Sequence, residues 1–381
     1  MISRTLSKLL HKGKKSLLLL GPRQTGKSTL IKELEPELSL NLANEQTHLD
    51  FARNPGELES RLLATRPSTV FIDEVQRLPS LLNTIQDILD NSSKPPKFYL
   101  TGSSARKLKR GKANLLPGRL HTYFLGPLTA KELNYRCPLQ QALETGLLPG
   151  IFTEETKEER VKTLRSYGAV YLKEEIQAEA LTQNLEGFSR FLFLCAQCSG
   201  DFLDISKLAS EAGISRQSAI RYFEVLEDTL VVHRCAAFSK SHRKRLIQHP
   251  KFYFFDTGVL NSLVGNFEAS DDRKGRLFEH LFFQQLTSSA YAQDKDIRIS
   301  TYRTEHGAEV DFIVEFDGTV WALELKSSSH VGKHDIRGHF SFSEFFHKKH
   351  EALVAYTGTV EKKIEHISIM PWQLVLQKMG L

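Results

Sequence analysis

The sequence predicts an α/β protein in three regions, with an α/β domain at each end and a mainly helical region between them. Three patterns predict this: a strand, a glycine-containing loop and a helix over residues 16–34, two helices around a glycine turn over 202–226, and two alternating strands around a tight turn over 310–326. We expect the domains to occupy the following ranges: 1–165, 166–250 and 251–381.

Composition indicates a globular protein. The 381 residues include 40% hydrophobic and 25% charged residues, enough for two or three domains that each bury a core. The longest apolar runs have only strand length, and the chain begins without an apolar segment of signal-peptide length, so we expect a cytoplasmic protein with no membrane contact. The net charge of +6 favours nucleic acid as a partner. The four cysteines show neither a disulfide framework nor a zinc spacing.

The first strand leads into a phosphate-binding loop. Residues 21–28, Gly-Pro-Arg-Gln-Thr-Gly-Lys-Ser, match G-x-x-x-x-G-K-[S/T], with a strand before them and a helix after them. Backbone N–H groups would cradle the phosphates, Lys27 would reach the β- and γ-phosphates, and the Ser28 hydroxyl would bind Mg²⁺. We therefore expect ATP and Mg²⁺ at these residues: Gly21, Pro22, Arg23, Gln24, Thr25, Gly26, Lys27, Ser28 and Thr29.

A second apolar strand, within residues 68–75, ends in two acids about forty residues after the loop. An Asp-Glu pair at a strand end is a weak indication of a nucleotide site by itself. At this spacing from the phosphate-binding loop, it is the expected partner motif. We expect Asp73 to hold Mg²⁺ through its water shell and Glu74 to polarise the attacking water. A third strand, residues 97–104, ends in hydroxyl side chains.

Residues 202–226 have a helix-turn-helix pattern. The first helix would end at Gly213, and Ser215 would cap the second. Strands on both sides of a basic segment follow, which predicts a winged helix, a module that binds either protein or nucleic acid. For nucleic acid, the contacts would come from the second helix and the wing: Arg216, Gln217, Arg221, Lys240, Arg243, Lys244 and Arg245.

The alternating strands near the C-terminus predict a hairpin. Asp317-Gly318 suits a two-residue type I′ turn. If Phe316 pairs with Thr319, the register places Asp311 directly across from Glu324 on one face.

The two opposed carboxylates predict a metal site. Like charges across a strand pair are destabilising unless a cation lies between them, and carboxylate oxygens suit Mg²⁺ or Mn²⁺. Lys326, on the same face as Asp311 and Glu324, could then orient an attacking water or stabilise developing charge. The alternative is a surface hairpin in which Glu309 and Lys326 form an inconsequential salt bridge.

This arrangement resembles the PD-(D/E)xK nuclease core of restriction-like enzymes and junction resolvases, in which a carboxylate is followed by a hairpin and then by Glu-x-Lys. The resemblance implies a restriction-endonuclease-like α/β domain with Asp311, Glu324 and Lys326 as catalytic residues. These nucleases often add an acid from a preceding helix, which implies Glu279 as an accessory metal ligand beside Asp311 and Glu324.

Four motifs resemble those of prokaryotic AAA+ ATPases that pair an AAA_14-type P-loop domain with a DUF4143-type domain. They are the loop motif, Phe-Ile-Asp-Glu-Val-Gln-Arg-Leu-Pro, Leu-Thr-Gly-Ser-Ser and Phe-Phe-Asp-Thr-Gly. The resemblance covers nearly the whole chain. It implies Thr101, with Ser103 close behind, as a sensor of the γ-phosphate. It also implies a homo-oligomeric ring, with a hexamer favoured, in which Arg119 or Arg106 contacts a neighbour's nucleotide.

Two functions follow from these expectations. In the first, ATP hydrolysis drives an enzyme that acts on DNA or RNA, and the C-terminal metal site cuts that nucleic acid. In the second, the protein is an ATP-gated remodelling or signalling module whose nuclease fold is a non-cleaving scaffold. Asp311, Glu324 and Lys326 on one face favour the first function.

Overall fold

The computed structural model describes residues 2–103, 118–168, 184–238 and 249–381. Within them the strands are β1 (Ser16–Leu20), β2 (Leu38–Asn41), β3 (Thr69–Asp73), β4 (Lys97–Gly102), β5 (Leu120–Phe124), β6 (Val232–Ala237), β7 (Lys251–Phe254), β8 (Ile297–Arg303), β9 (Glu309–Phe316), β10 (Thr319–Lys326), β11 (Glu351–Tyr356), β12 (Lys362–Ile364) and β13 (Ile367–Pro371).

The helices of the same ranges are α1 (Ser7–Lys12), α2 (Lys27–Lys32), α3 (Glu45–Arg53), α4 (Glu57–Thr65), α5 (Leu81–Asn91), α6 (Leu139–Thr145), α7 (Pro149–Phe152), α8 (Lys157–Ser166), α9 (Leu185–Gln197), α10 (Ile205–Ala212), α11 (Arg216–Asp228), α12 (Thr257–Val264), α13 (Asp271–Gln293), α14 (Arg337–Phe346) and α15 (Trp372–Met379). No helix in the described part of the chain is long and apolar enough to cross a bilayer.

The N-terminal region forms a five-stranded parallel sheet with the order β2-β3-β4-β1-β5. Every residue of β1 is buried, as expected of a central strand in a sheet covered on both faces. The carboxyl ends of β1, β3 and β4 lie at one edge, so the segments that follow these strands meet there. The predicted parallel α/β core is confirmed.

The C-terminal region is built on an eight-stranded sheet with the order β12-β13-β11-β10-β9-β8-β6-β7. Strand β6 pairs with β7 antiparallel and with β8 in parallel, through Ala236 and Ala237. The hairpin of the middle region therefore extends the C-terminal sheet. The division expected at residue 250 falls between two paired strands.

The hairpin of β9 and β10 has the expected register. Phe316 pairs with Thr319, and the pairing continues to Phe312 and Leu323. The turn residues Asp317-Gly318 have φ angles of 49° and 76°, as a type I′ turn requires. The next residues along the two strands are Asp311 and Glu324, the pair expected to oppose each other.

The middle region follows the expected order of helix, turn, helix and hairpin. Helix α10 ends at Gly213, which adopts a φ of 65°, and the Ser215 side chain accepts a hydrogen bond from the Ser218 N–H at the start of α11. The middle helices share one hydrophobic core with the C-terminal sheet and with α13. That the region acts as a winged helix stays a prediction.

Candidate nucleotide site and carboxylate cluster

The loop between β1 and α2 wraps around the side chain of its lysine. Lys27 is 5% exposed, and its Nζ donates hydrogen bonds to Gly21 O at 2.8 Å and Pro22 O at 2.9 Å. Gln24 and Gly26 have φ angles of 61° and 89°, so the loop turns sharply twice before the helix. The ammonium group is thus fixed among the loop residues that the motif assigns to phosphates.

Asp73, at the end of β3, joins the loop to the neighbouring strands. Its Oδ1 accepts a hydrogen bond from Ser28 Oγ at 2.8 Å and another from Thr101 Oγ1. Thr101 Oγ1 also accepts from the Glu74 N–H at 3.2 Å. The structure therefore brings together Ser28, Asp73 and Thr101, and Thr101 orients the two acids at the strand end. Its role as a phosphate sensor stays a prediction.

Glu74 is held by a residue that the sequence patterns did not single out. Its backbone is left-handed, with a φ of 60°, and Gln76 Nε2 donates to its Oε2 at 2.5 Å. The same Gln76 nitrogen lies 2.9 Å from Ser103 Oγ. Arg23 Nη2 lies 3.9 Å from Glu74 Oε2. Gln76 and Arg23 therefore fix where the candidate base points.

The loop and Glu74 line a cavity of about 410 Å³, within the range of roughly 300–1,000 Å³ of small-ligand sites. Seven of its lining residues are Arg23, Gln24, Gly26, Lys27, Ser28, Thr29 and Glu74. The eighth is Tyr167, which follows α8 and places its hydroxyl 3.5 Å from Arg23 O. Tyr167 lies more than a hundred residues after the loop, and no local sequence signal marks it.

Arg119 makes a bidentate ion pair with Asp90 of α5, with Nε–Oδ1 at 2.5 Å and Nη2–Oδ2 at 2.8 Å. The hydrogen bonds from Arg119 lower the pKa of Asp90. The contact of Arg119 with a neighbouring subunit stays a prediction. The competing candidate, Arg106, lies outside the described residues.

At the second site, the carboxylates of Asp311 and Glu324 influence each other as the register predicts. Withdrawal from water, then repulsion by Glu324 and Glu279, raises the pKa of Asp311 well above its usual range. Burial also raises the pKa of Glu324. Asp311 Oδ2 accepts a hydrogen bond from the Leu325 N–H at 2.7 Å.

Lys251, at the start of β7, changes the expected ligand set. Its ammonium lies 2.9 Å from Glu279 Oε1 and 3.2 Å from Glu309 Oε1, and its side chain is 7% exposed. Tyr253 donates from its hydroxyl to the same Glu279 oxygen at 2.5 Å. Burial alone would lower the pKa of Lys251, but Glu279, Asp311 and Glu309 raise it, so the lysine stays charged.

Among the described residues, no group of three or more His, Cys, Asp or Glu side chains could hold a metal ion. Glu279 accepts hydrogen bonds from Lys251 and Tyr253, and its role as an accessory metal ligand stays a prediction. The alternative, in which Glu309 pairs with Lys326, differs from the observed contacts: Lys326 Nζ lies 3.0 Å from Glu324 Oε1, and Glu309 contacts Lys251. The sequence signal for the contact of Lys251 with the carboxylates is weak: a lysine at the start of an apolar strand.

Replacement of Lys251 by Met should lower the free energy of unfolding by about 1.5–3 kcal/mol, because it leaves the partly buried carboxylates of Glu279 and Glu309 without this cation. Urea unfolding followed by circular dichroism measures the change. Lys349→Met removes an exposed lysine and is the matched control, with an expected change within about 0.5 kcal/mol. Equal stability of the two variants would mean that the buried contacts of Lys251 are not formed.

The nucleic-acid candidates on α11 are exposed, as expected: Arg216, Gln217 and Arg221. Arg216 Nε donates to Ser206 Oγ at 3.2 Å, and the Arg221 guanidinium lies 5.5 Å from the Tyr222 ring centroid. The wing candidates lie outside the described residues: Lys240, Arg243, Lys244 and Arg245.

Comparison with protein families finds a match in each region. Residues 13–134 match the AAA_14 family, described as an AAA domain. The first region is therefore similar to AAA domains. Residues 274–375 match DUF4143, a domain of unknown function, which together with AAA_14 confirms the expected pairing. Residues 138–270 match another domain of unknown function, DUF8612, a range that begins before and ends after the middle region we expected.

Two uncharacterized mycobacterial proteins are similar over most of this chain. Mb2031c of Mycobacterium bovis and Rv2008c of Mycobacterium tuberculosis are each 27% identical to it over 324 residues, which is 82% of this chain and 70% of theirs.

Similarity to solved structures is weak. A Pif1 helicase, from a structure of DNA unwinding at forked double-stranded DNA, aligns with 46% of this chain and 53% of its own, at 14% identity and a TM-score of 0.26. This chain thus spans about half the length of that helicase. The replication initiator DnaA bound to AMPPCP and single-stranded DNA aligns with 58% of this chain and 86% of its own, at 13% identity and a TM-score of 0.26.

Proposed function

We propose that the AAA-type domain binds and hydrolyses ATP with Lys27, Ser28, Asp73 and Glu74 at the reacting phosphates. The observation that carries this proposal is the hydrogen bond of 2.8 Å from Ser28 Oγ to Asp73 Oδ1, because Ser28 lines the same cavity as Lys27 and Glu74. A hydroxyl and a carboxylate are hard oxygen donors that fit Mg²⁺. A bound Mg²⁺ would supply electrostatic stabilisation of the phosphate charge.

The chain's own groups would divide the remaining work. Lys27 would leave the loop carbonyls for the β- and γ-phosphate oxygens, where charge develops in the transition state. Glu74 would orient the attacking water and accept its proton. Gln76, which donates to Glu74, would hold the carboxylate in place, and Thr101 would do the same for Asp73.

Lys27→Ala tests this assignment. Loss of one charge-assisted contact, of about 1.5–3 kcal/mol, should weaken ATP binding about 10- to 100-fold and reduce turnover with it. Equilibrium binding of a fluorescent ATP analogue and phosphate release measure the two effects. Lys32→Ala, an exposed lysine of the same helix, should match the wild type. Normal binding by Lys27→Ala would exclude this site.

A second candidate function is metal-dependent cleavage of nucleic acid by the C-terminal domain. The observation that favours it is the negative charge gathered around Asp311. Asp311 accepts a hydrogen bond from the Leu325 N–H, while the ammonium groups of Lys251 and Lys326 bond Glu279 and Glu324. Asp311 and Glu324 would hold Mg²⁺ or Mn²⁺, and Lys326 would stabilise charge on the cleaved phosphate. The alternative is an ATP-gated remodelling or signalling module with a non-cleaving scaffold.

The proposed partner is DNA or RNA, bound by a homo-oligomeric ring of this protein, with a hexamer favoured. Exposed cationic side chains on α11 and the net charge of +6 support a polyanionic partner. In such a ring Arg119 would exchange Asp90 for the nucleotide of a neighbouring subunit.

A further inference from the structure

The phosphate loop rests on one neighbouring segment, residues 125–132, which we name the support segment. At Gly21 the approach is so close that a Cβ atom would lie 2.2 Å from Leu125 O. At Thr25 the contact passes through Arg4, whose Nη1 donates to Thr25 O at 2.6 Å and whose Nη2 donates to a carbonyl of the support segment at 2.8 Å. The loop is thus fixed to this segment at two points.

Arg4 is held in a single position by a buried ion pair. Its Nε donates to Glu132 Oε1 at 3.0 Å, and the two side chains are 6% and 0% exposed. Glu132 also accepts hydrogen bonds from the N–H groups of Thr5 and Thr129, at 2.8 Å and 3.0 Å. Moving either partner would leave a buried charge unpaired, so Arg4 is a rigid connection between the loop and the support segment.

Helix α13 of the C-terminal domain holds the support segment from its other side. The buried Gln285 accepts from the Ala130 N–H at 2.6 Å and donates to Leu128 O at 3.1 Å. At Gly126 a Cβ atom would lie 2.5 Å from Ser288 Oγ. One side-chain amide thereby satisfies two backbone groups of an irregular segment that cannot satisfy them itself.

We propose that Arg4 and Gln285 are positioning residues for the nucleotide site, a role that rests on the ATPase function proposed above. Neither side chain lines the nucleotide cavity. Arg4 sets the loop geometry through its contact with Thr25, and Gln285 sets it through the support segment, so ATP affinity depends on a helix of the C-terminal domain. Gln76 and Thr101 position Glu74, so the chemical step should change little.

Steady-state ATP hydrolysis by the full chain tests the proposal with Arg4→Met and Gln285→Leu. KM for ATP should rise at least about fivefold in each variant, and kcat should change less than about twofold. Arg4→Lys should recover part of the loss in affinity. Gln293→Leu is the matched control, because that glutamine lies on the same helix but donates to Gly380 O within the C-terminal domain.

A purely structural role predicts a lower melting temperature with an unchanged KM at a temperature where the variants are folded, and that result overturns the proposal. If Gln285→Leu does not fold, Gln285→Asn keeps both hydrogen-bonding groups on a side chain one methylene shorter, which cannot reach both Ala130 and Leu128, and it should still raise KM. If the wild type binds ATP without hydrolysing it, the ATPase assignment fails separately. The dissociation constant of a fluorescent ATP analogue then decides, and equal values for wild type and Gln285→Leu overturn the inference.

Discussion

Glu74→Gln should lower ATP turnover by about 10²- to 10⁴-fold while ATP remains bound. The amide keeps the size of the side chain and can still contact Gln76, but it cannot accept a proton from water. Lys27, Ser28 and Asp73 are unchanged, so the contacts expected with the phosphates persist. Phosphate release gives the rate, and the dissociation constant of a fluorescent ATP analogue gives the affinity.

Two comparisons make this result specific. Glu59→Gln removes an exposed glutamate of α4 and should hydrolyse ATP at the wild-type rate. Gln76→Leu removes the donor to Glu74 and should show a smaller fall in kcat than Glu74→Gln. If Glu74→Gln retained near-normal turnover, another group would act on the water, and the assignment of this strand end would be wrong.

Features carried by contiguous residues were predictable from the sequence. The loop motif fixes the strand before it and the helix after it, since only that arrangement presents N–H groups to phosphates. Asp317-Gly318 determines the hairpin register because a type I′ turn requires two positive φ angles. Glycine and serine in the middle region likewise determine where helices end and begin.

Contacts between distant segments could not be predicted in the same way. Arg4, Tyr167 and Lys251 reach their sites only when separate elements pack together, and no motif in the sequence marks their contacts. The expectation that Glu279 binds metal followed from its place on a helix before the hairpin, but it could not account for Lys251 on another strand. Strand periodicity also gives no signal that β6 pairs with β8.

Asp311→Asn should abolish metal-dependent cleavage of nucleic acid, with a fall of at least about 10³-fold, while ATP hydrolysis stays within about twofold of the wild type. The change removes one of the two carboxylates proposed to hold the metal, and metal stabilisation of transition-state charge amounts to several kcal/mol. Labelled single-stranded, duplex and branched DNA and RNA are incubated with Mg²⁺ or Mn²⁺, with and without ATP, and the products are separated by size.

Glu279→Gln distinguishes the two possible ligand sets in the same assay. Because Glu279 already accepts hydrogen bonds from Lys251 and Tyr253, its amide should preserve those contacts and reduce cleavage far less than Asp311→Asn. An equal loss in both variants would make Glu279 a metal ligand after all. If the wild type cleaves no substrate while its ATPase is active, the paired carboxylates serve a scaffold, and the remodelling or signalling function takes precedence.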